Sequence, residues 1–363
     1  MGRSDARARW WLSVLGVLAV LAAPAGADRS GEPRVRVLLS ESAETVEVRR
    51  GGVTTTLLPA PAGMRADGQL VGGVWRSAGG ESVEVDGLRV RGAVEVDRVP
   101  AGLRVVNEVP LEAYVAGTVG REVYPDWSPE TLKAQAVVTR TYALHERERQ
   151  ARRAFHVFGG TRGQVYGGVG AESPAVVAAT SATRGEILTW RSRPILAVFH
   201  SASGGQTASA EEAWGRPTPY LLSQPVENEE DSPDTYWRAS IPGTTLGRAL
   251  ATLGLAIGPV REVRVVERTP SGRALRVHVR GEGGDSQLRA RDLRSALGEN
   301  VIRSTLFEIR GDEDGFVFVG SGHGHGVGMS QWGAEAMARR GSDYRRILAT
   351  FFPGTRLSRS AAR

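Results

Sequence analysis

At Pro110 the sequence changes its period. Upstream, Arg34-Val-Arg-Val-Leu-Leu39, Glu44-Thr-Val-Glu-Val-Arg49, Ser82-Val-Glu-Val85, Leu88-Arg-Val-Arg91 and Ala93-Val-Glu-Val96 alternate apolar with polar side chains, the pattern of half-buried strands. Asp86-Gly87 is a turn signal between two of them. Gly51 to Gly80 is rich in Gly, Pro and Ala and reads as loops with short strands. Downstream, Leu111 to Val123 returns its apolar residues at helical spacing, with Pro110 before the first turn. Ser128-Pro-Glu130 then opens a second helix, with an N-cap, a proline at the first helical position and an acid in the first turn, running to about Gln150. Helices on either side of Tyr124-Pro-Asp-Trp127 make an αα-hairpin.

The rest of the chain is mixed. A helix is expected over Pro174–Thr183, strands over Glu186–Trp190 and Pro194–His200, and a Pro- and acid-rich surface loop over Pro217–Asp234. A subregion at about 240–310 reads as helix, strands Val263–Val266 and Leu275–Val279, then helix. Strands Leu306–Ile309 and Phe316–Val319 precede the glycine-dense loop Ser321–Ser330 and a helix from Gln331 to Arg340, ended by Gly341. The expectation is a mixed α+β fold, with a β-rich region at 28–90 and a larger domain at 91–356.

The N-terminus has the form of a secretory leader. Arg3, Arg7 and Arg9 precede an apolar run from Trp10 to Ala23, and Ala25-Gly26-Ala27 is a small-x-small cleavage signal. The run is short for a membrane span, so the expectation is an exported protein cut after Ala27, in the periplasm or cell envelope; left uncut, the leader would be its one membrane attachment. The net charge of +6 includes +2 from the leader's three Arg and one Asp, so +4 remains after cleavage. Those charges form no basic run, and nucleic-acid binding is not expected. With no cysteine, disulfides, thiolate metal sites, a Cys nucleophile and a lipoprotein anchor are all excluded.

One carboxylate breaks its pattern. If Leu111–Val123 buries Tyr114, Val115, Val119 and Val123, then Glu122 falls on the same apolar face. It is either a helix-end acid that curls to solvent before Pro125, or a general acid kept protonated by apolar and aromatic neighbours. Tyr124 and Trp127 beside it suit sugar stacking. His323 and His325 lie two apart, and a third ligand, His200, is only a guess, where structural zinc takes four ligands and catalytic zinc three. The better reading is glycines that let backbone approach a ligand while a histidine donates a hydrogen bond. No metal or cofactor is expected. Ser201 precedes Gly204-Gly205 without the Gly-x-Ser-x-Gly pattern, so serine hydrolysis is not supported.

Four blocks together resemble the SpoIID/LytB family, named for the stage II sporulation protein D. They are Val109–Glu122 continuing through Lys133-Ala-Gln-Ala-Val-Val-Thr-Arg-Thr-Tyr-Ala143; Gly163-Gln-Val-Tyr-Gly167; His200-Ser-Ala-Ser-Gly-Gly-Gln-Thr207; and Gly324-His-Gly-Val-Gly-Met-Ser-Gln-Trp-Gly-Ala334 with Phe351-Phe-Pro-Gly-Thr355. The likeness covers about residues 90 to 356. It implies a lytic transglycosylase acting on peptidoglycan strands stripped of their peptides, cleaving the bond from N-acetylmuramic acid to N-acetylglucosamine and leaving 1,6-anhydro ends. The family's catalytic glutamate matches Glu122, although Arg121 and Val123-Tyr124 depart from the family's usual neighbours. A Cys/His zinc site found in some members cannot be carried over. Gln164, Tyr166, Ser201, His325, Ser330, Gln331 and Trp332 are expected to line a glycan-binding groove, with the helix N-terminus at Ser330–Trp332 taking a muramyl lactyl carboxylate. The alternative the resemblance leaves is a non-catalytic glycan-binding enhancer of a cell-wall amidase. Either way the partners are glycan strands, with an amidase as a second partner in the alternative.

Overall fold

The computed structural model describes residues 31–77, 82–312 and 315–360, so the leader expected at 1–27 lies outside the described residues. The alternating segments form two sheets. In one, Arg34–Ala43 pairs antiparallel with Gly102–Pro110, which pairs with Ala93–Val99; Val157–Phe158 and Trp75–Arg76 lie at its edges. The other runs Gln69–Val71, Gly63–Ala66, Val53–Ala60, Val46–Arg50, Val83–Val85, Leu88–Val90. Their inward residues, among them Val35, Val37, Val48, Leu57, Met64, Val96 and Val105, share one core. The first sheet therefore joins residues on both sides of position 90. Val53–Ala60 is a full strand inside a segment whose Gly and Pro content suggested mostly loop.

Helix α1 (Leu111–Glu122) leaves the sheet directly after Pro110. Its first N–H groups are met by the residues just before the first strand: Leu111 N–H donates to Pro33 O at 2.9 Å and Glu112 N–H to the Glu32 carboxylate at 2.7 Å. Tyr114, Val115, Val119 and Val123 are all buried, as the periodicity requires; each is worth about 1.5–3 kcal/mol of burial for the aliphatic side chains. Helix α2 (Pro129–Arg149) is buried on opposite faces. Leu132, Ala136 and Ala143 pack on the first core, while Ala134, Val137 and Val138 pack on a second. That explains its weak amphipathic pattern. Arg140, fully buried, ties α2 to α1 through a two-pronged ion pair with Glu112 at 2.6 and 2.9 Å.

Helix α3 (Pro174–Ala182) packs on α1 and α2. The expected strand at Pro194–His200 is two short pieces, Arg193–Pro194 and Phe199–His200, and the second pairs in parallel with Met329–Ser330. The sequence reading missed α4 (Ala210–Trp214), which has a Ser209/Glu212 capping box. From Trp237 to Phe318 the chain builds a third core, around α5 (Gly243–Ala251), α6 (Ala290–Leu297) and two three-stranded sheets. One of these sheets contains Gly284–Arg289, a strand not anticipated from sequence. The chain then returns to the second core as α7 (Gln331–Arg339) and α8 (Tyr344–Phe351), the last also unanticipated. Among the described residues no helix is long and apolar enough to cross a membrane.

Candidate active site

Two glycines on α1 decide where the site forms. A Cβ on Gly120 would fall 2.0 Å from Ala171 O, and one on Gly117 would fall 2.8 Å from the Tyr166 ring. The loop Gly163–Ala171 can therefore lie against the helix, and Gly167 N–H donates to Gly117 O at 2.8 Å. This brings Val165 N–H to the Glu122 carboxylate at 2.5 Å. Among the described residues that is the one hydrogen bond this carboxylate accepts. Glu122 is the last residue of α1 and is half-buried. Burial pushes its carboxyl up to about 7, and the Val165 N–H only partly opposes the rise. Of the two readings left open by sequence, the structure shows the partly buried acid.

An aromatic corner stands beside it. Trp127 and Trp332 meet edge to face at 4.8 Å, and the exposed Tyr124 lies 5.4 Å from Trp127. Trp332 comes from α7, which is fastened to the end of α1, the start of α2 and Ser201. Gln331 Nε2 donates to the Glu122 carbonyl oxygen at 3.1 Å. Trp332 N–H donates to Ser201 O at 3.0 Å. Glu335 accepts from Ser128 N–H, Ser128 Oγ and Thr131 Oγ1 at 2.7–3.0 Å. The Ser128 hydroxyl thus serves α7 through Glu335 and does not cap its own helix, as its sequence position suggested.

The sequence-predicted groove residues separate into two groups. Glu122, Ser201, Trp332 and His325 keep some surface. Gln164, Tyr166, Ser330 and Gln331 are buried. Tyr114 Oη donates to Gln164 Oε1 at 2.8 Å, Tyr166 Oη donates to Asn107 Oδ1 at 3.0 Å, and the two tyrosine rings stack at 5.5 Å. These side chains hold the loop that carries Val165. Ser330 Oγ caps Gly333 N–H at 3.3 Å and donates to Glu229. The start of α7 is consequently occupied by the protein's own groups, with Glu229 where a lactyl carboxylate was expected. Sequence reading missed Glu229, which lies in a stretch read only as a surface loop.

The histidines diverge. His323 Nδ1 is 3.1 Å from Asp234, whereas His325 turns toward His200, with ring centroids 5.7 Å apart. His200 Nδ1 is 3.1 Å from Val327 O, and burial lowers its pKa far enough to keep the ring neutral. Among the described residues no three His, Cys, Asp or Glu side chains gather as a metal site. Of the other carboxylates near the turn, Glu130 is engaged by Lys133 and by Tyr344 N–H, while Asp126 is exposed.

The sequence family described as Stage II sporulation protein matches residues 100–190, which include α1, α2 and the Gly163–Ala171 loop. Stage II sporulation protein D of Bacillus subtilis is 32% identical over 273 residues, 71% of this chain and 77% of that protein. The chain belongs to the stage II sporulation protein D family. An uncharacterised protein of Brachyspira hyodysenteriae is 34% identical over 253 residues, 69% of this chain and 67% of its own length. The amidase enhancer of Bacillus subtilis is 26% identical over 67% of this chain but only 40% of its own length. A domain of unknown function matches residues 211–328, the stretch that contains the third core of this family member.

Proposed function

We propose that this stage II sporulation protein D relative is an exported lytic transglycosylase of the cell envelope. The observation that carries the reading is Glu122, a half-buried carboxyl held near 7 beside a corner of Tyr124, Trp127 and Trp332. A hydrolysing glycosidase usually needs two carboxylates, whereas a transglycosylase of this type needs one. The protonated Glu122 gives its proton to the glycosidic oxygen between N-acetylmuramic acid and N-acetylglucosamine. The bond to muramic C1 breaks and the N-acetylglucosamine hydroxyl leaves. The muramic C6 hydroxyl closes onto C1, and the Glu122 carboxylate takes its proton. Atoms and charge balance, and the acid is restored. A group with a pKa near the working pH serves both halves of such a cycle. Exposed Tyr124 and part-exposed Trp332 offer ring surface to the sugar, whereas Trp127, expected from sequence to stack on it, is buried in the first core and braces Trp332.

The test is incubation of the mature chain with peptide-free glycan and mass spectrometry of the ends. The reading expects 1,6-anhydro-muramic products from the wild type and none from Glu122→Gln. No product from the wild type would sink it. The amidase-enhancer relative supports a second reading, in which the same groove binds glycan for a partner amidase without cleaving it. That reading expects stimulation of an added amidase, undiminished in Glu122→Gln.

A further inference from the structure

An open cleft of about 900 Å³ lies at the far end of α2 from Glu122. Ser128, at the start of α2, is held by Glu335 of α7 beside the proposed active site. Arg147, near the other end, lines the cleft and lies about 28 Å further along the helix axis. Arg191, Arg356 and Arg359 line it with Arg147, and so do Trp190 and Glu148. The four arginines enter from three elements: the end of α2, the turn after Glu186–Trp190, and the strand Arg356–Arg359. None of their guanidinium groups makes a hydrogen bond or ion pair among the described residues, and Arg191, Arg356 and Arg359 are exposed. Glu148 is the one acid lining the cleft, and it is paired with none of them.

Other exposed arginines find partners, as Arg184 does with Glu32, Arg261 with Glu282 and Arg339 with Asp231. Like charges gathered in a concavity repel one another and concentrate a positive field there. Charge on Arg356–Arg359 alone would blunt the edge of its sheet. Edge protection does not account for Arg147 and Arg191 gathering around the same concavity. The backbone adds a second, independent observation. Arg191 and Ser192 form the two-residue turn between Trp190 and Arg193, and both have positive φ, +50° and +62°. Asn-Gly is the usual occupant of such a turn, because a Cβ is disfavoured in this region. Strain of this kind collects at functional positions, and here it sets Arg191 on the cleft wall. Gly354, at φ +75°, would put a Cβ 3.0 Å from the Trp190 ring. Glycine lets the chain pass beside that ring, which lines the cleft half-buried.

We propose that this cleft binds a phosphodiester-linked polyanion of the cell envelope, a polymer separate from the glycan that Glu122 acts on. Its placement in the envelope rests on the proposed function; the chemistry of the cleft does not. Arginines entering from three elements suit a tetrahedral phosphate, whose oxygens can be met from several sides, whereas a carboxylate presents one planar edge. The volume exceeds what a single inorganic phosphate fills and accommodates a short run of chain, with Trp190 as apolar wall for its carbon units. Lipid headgroups share the phosphate chemistry. None of the exposed large apolar residues lines the cleft, so it has nothing to insert into a bilayer. A polymer held there tethers the protein at one end of α2 while the aromatic corner at the other end is free to engage a glycan strand.

Calorimetric titration of the mature chain tests this. The probes are a synthetic glycerol-phosphate oligomer, an oligogalacturonate of the same charge, and phosphatidylglycerol vesicles. The cleft variant combines Arg191→Ser, Arg356→Ser and Arg359→Ser, all at exposed positions. A control variant loses the same charge at exposed positions of the region around the third core, through Arg238→Ser, Arg248→Ser and Arg310→Ser. Thermal melts near the wild-type value show that both are folded. We expect the wild type to bind the glycerol-phosphate oligomer more tightly than the oligogalacturonate. The cleft variant should bind that oligomer about tenfold to thirtyfold more weakly, and the control within about twofold of wild type. No binding by the wild type, or equal losses in the two variants, overturns the proposal. Equal affinity for the oligogalacturonate overturns the assignment to phosphate, and binding to vesicles alone reassigns the cleft to a lipid surface. The cleft variant should form anhydro ends at the wild-type rate on soluble glycan. If the wild type forms none, the transglycosylase reading fails while the titrations still decide the cleft.

Discussion

Glu122 and Glu229 are both withdrawn from water, and the chain treats them in opposite ways. Glu229 accepts from Ser203 N–H, Ser203 Oγ, Gly204 N–H, Gly205 N–H and Ser330 Oγ. It pins the Ser203–Gly205 turn to the start of α7 and has no capacity left for a ligand. Glu122 accepts from one N–H among the described residues and keeps part of its surface exposed. Burial alone therefore does not mark a catalytic acid. The number of donors already satisfied separates Glu122, the proposed acid, from Glu229. Two buried arginines differ in the same way: Arg273 keeps Nε and Nη1 without a hydrogen-bond partner among the described residues, whereas Arg140 is matched by Glu112.

The largest test of this contrast is chemical. Glu122→Gln lowers the rate of anhydro-end formation by about 10²–10⁴-fold, the usual contribution of a lost general acid. Glycan affinity by calorimetry stays near that of the wild type. Glu229→Ala acts on stability instead. Several buried donors lose their acceptor at about 1–3 kcal/mol each, for a total of about 3–5 kcal/mol in urea denaturation. If Glu229→Ala kept full stability and lost the reaction, the two roles would have to be exchanged.

A smaller effect separates them by pH. In the fold Glu122 is pushed up to about 7 by burial, from the ordinary glutamate value of 4.5. The neutral form is favoured in the fold, so its contribution is fully present below about pH 4.5 and is lost as pH rises through about 7. Glu122→Gln should be more stable than wild type by about 2 kcal/mol near pH 8, discounted for screening at a part-exposed group, and equal to it near pH 4. Thermal melts at both pH values read this; a constant difference would deny the raised pKa. The wild-type rate should fall over the same upper range, as the acid that starts the reaction is lost. The smallest effect is a control: Asp126→Asn, on the exposed turn, should leave stability and rate within about 0.5 kcal/mol. A collapse of activity there would point to a second carboxylate and a hydrolytic mechanism.

What the sequence disclosed was local. The αα-hairpin and the misplaced acid at Glu122 follow from helical period and from Pro110 and Ser128-Pro129. What it concealed was long-range pairing. Glu229 and Glu335 look like ordinary surface acids until the fold brings distant hydroxyls and amides to them. Gln164 and Tyr166 carry groups that suit sugar recognition, yet the Gly117–Gly120 face draws them inward to support the loop. Helix α8 carried a readable signal in the Asp343 cap and the spacing of Ile347, Leu348 and Phe351. Helix α4, of five residues, is too short for a periodicity to register. The Gly284–Arg289 strand is polar along most of its length, so no alternation announces it.

The span of the bonds that fasten α7 has a temporal consequence. Gln331 reaches Glu122 across 209 positions, and Glu335 reaches Ser128 across 207. Contacts closed over such distances bear a high loop entropy and form late in folding. Glu122 lies on α1, directly after the first sheet, whereas Trp332 comes from α7, near the far end of the described residues. Until α7 docks, the Glu122 carbonyl lacks its Gln331 partner and the aromatic corner lacks Trp332. The surroundings of Glu122 are thus completed by the contacts that close over the longest stretches of chain.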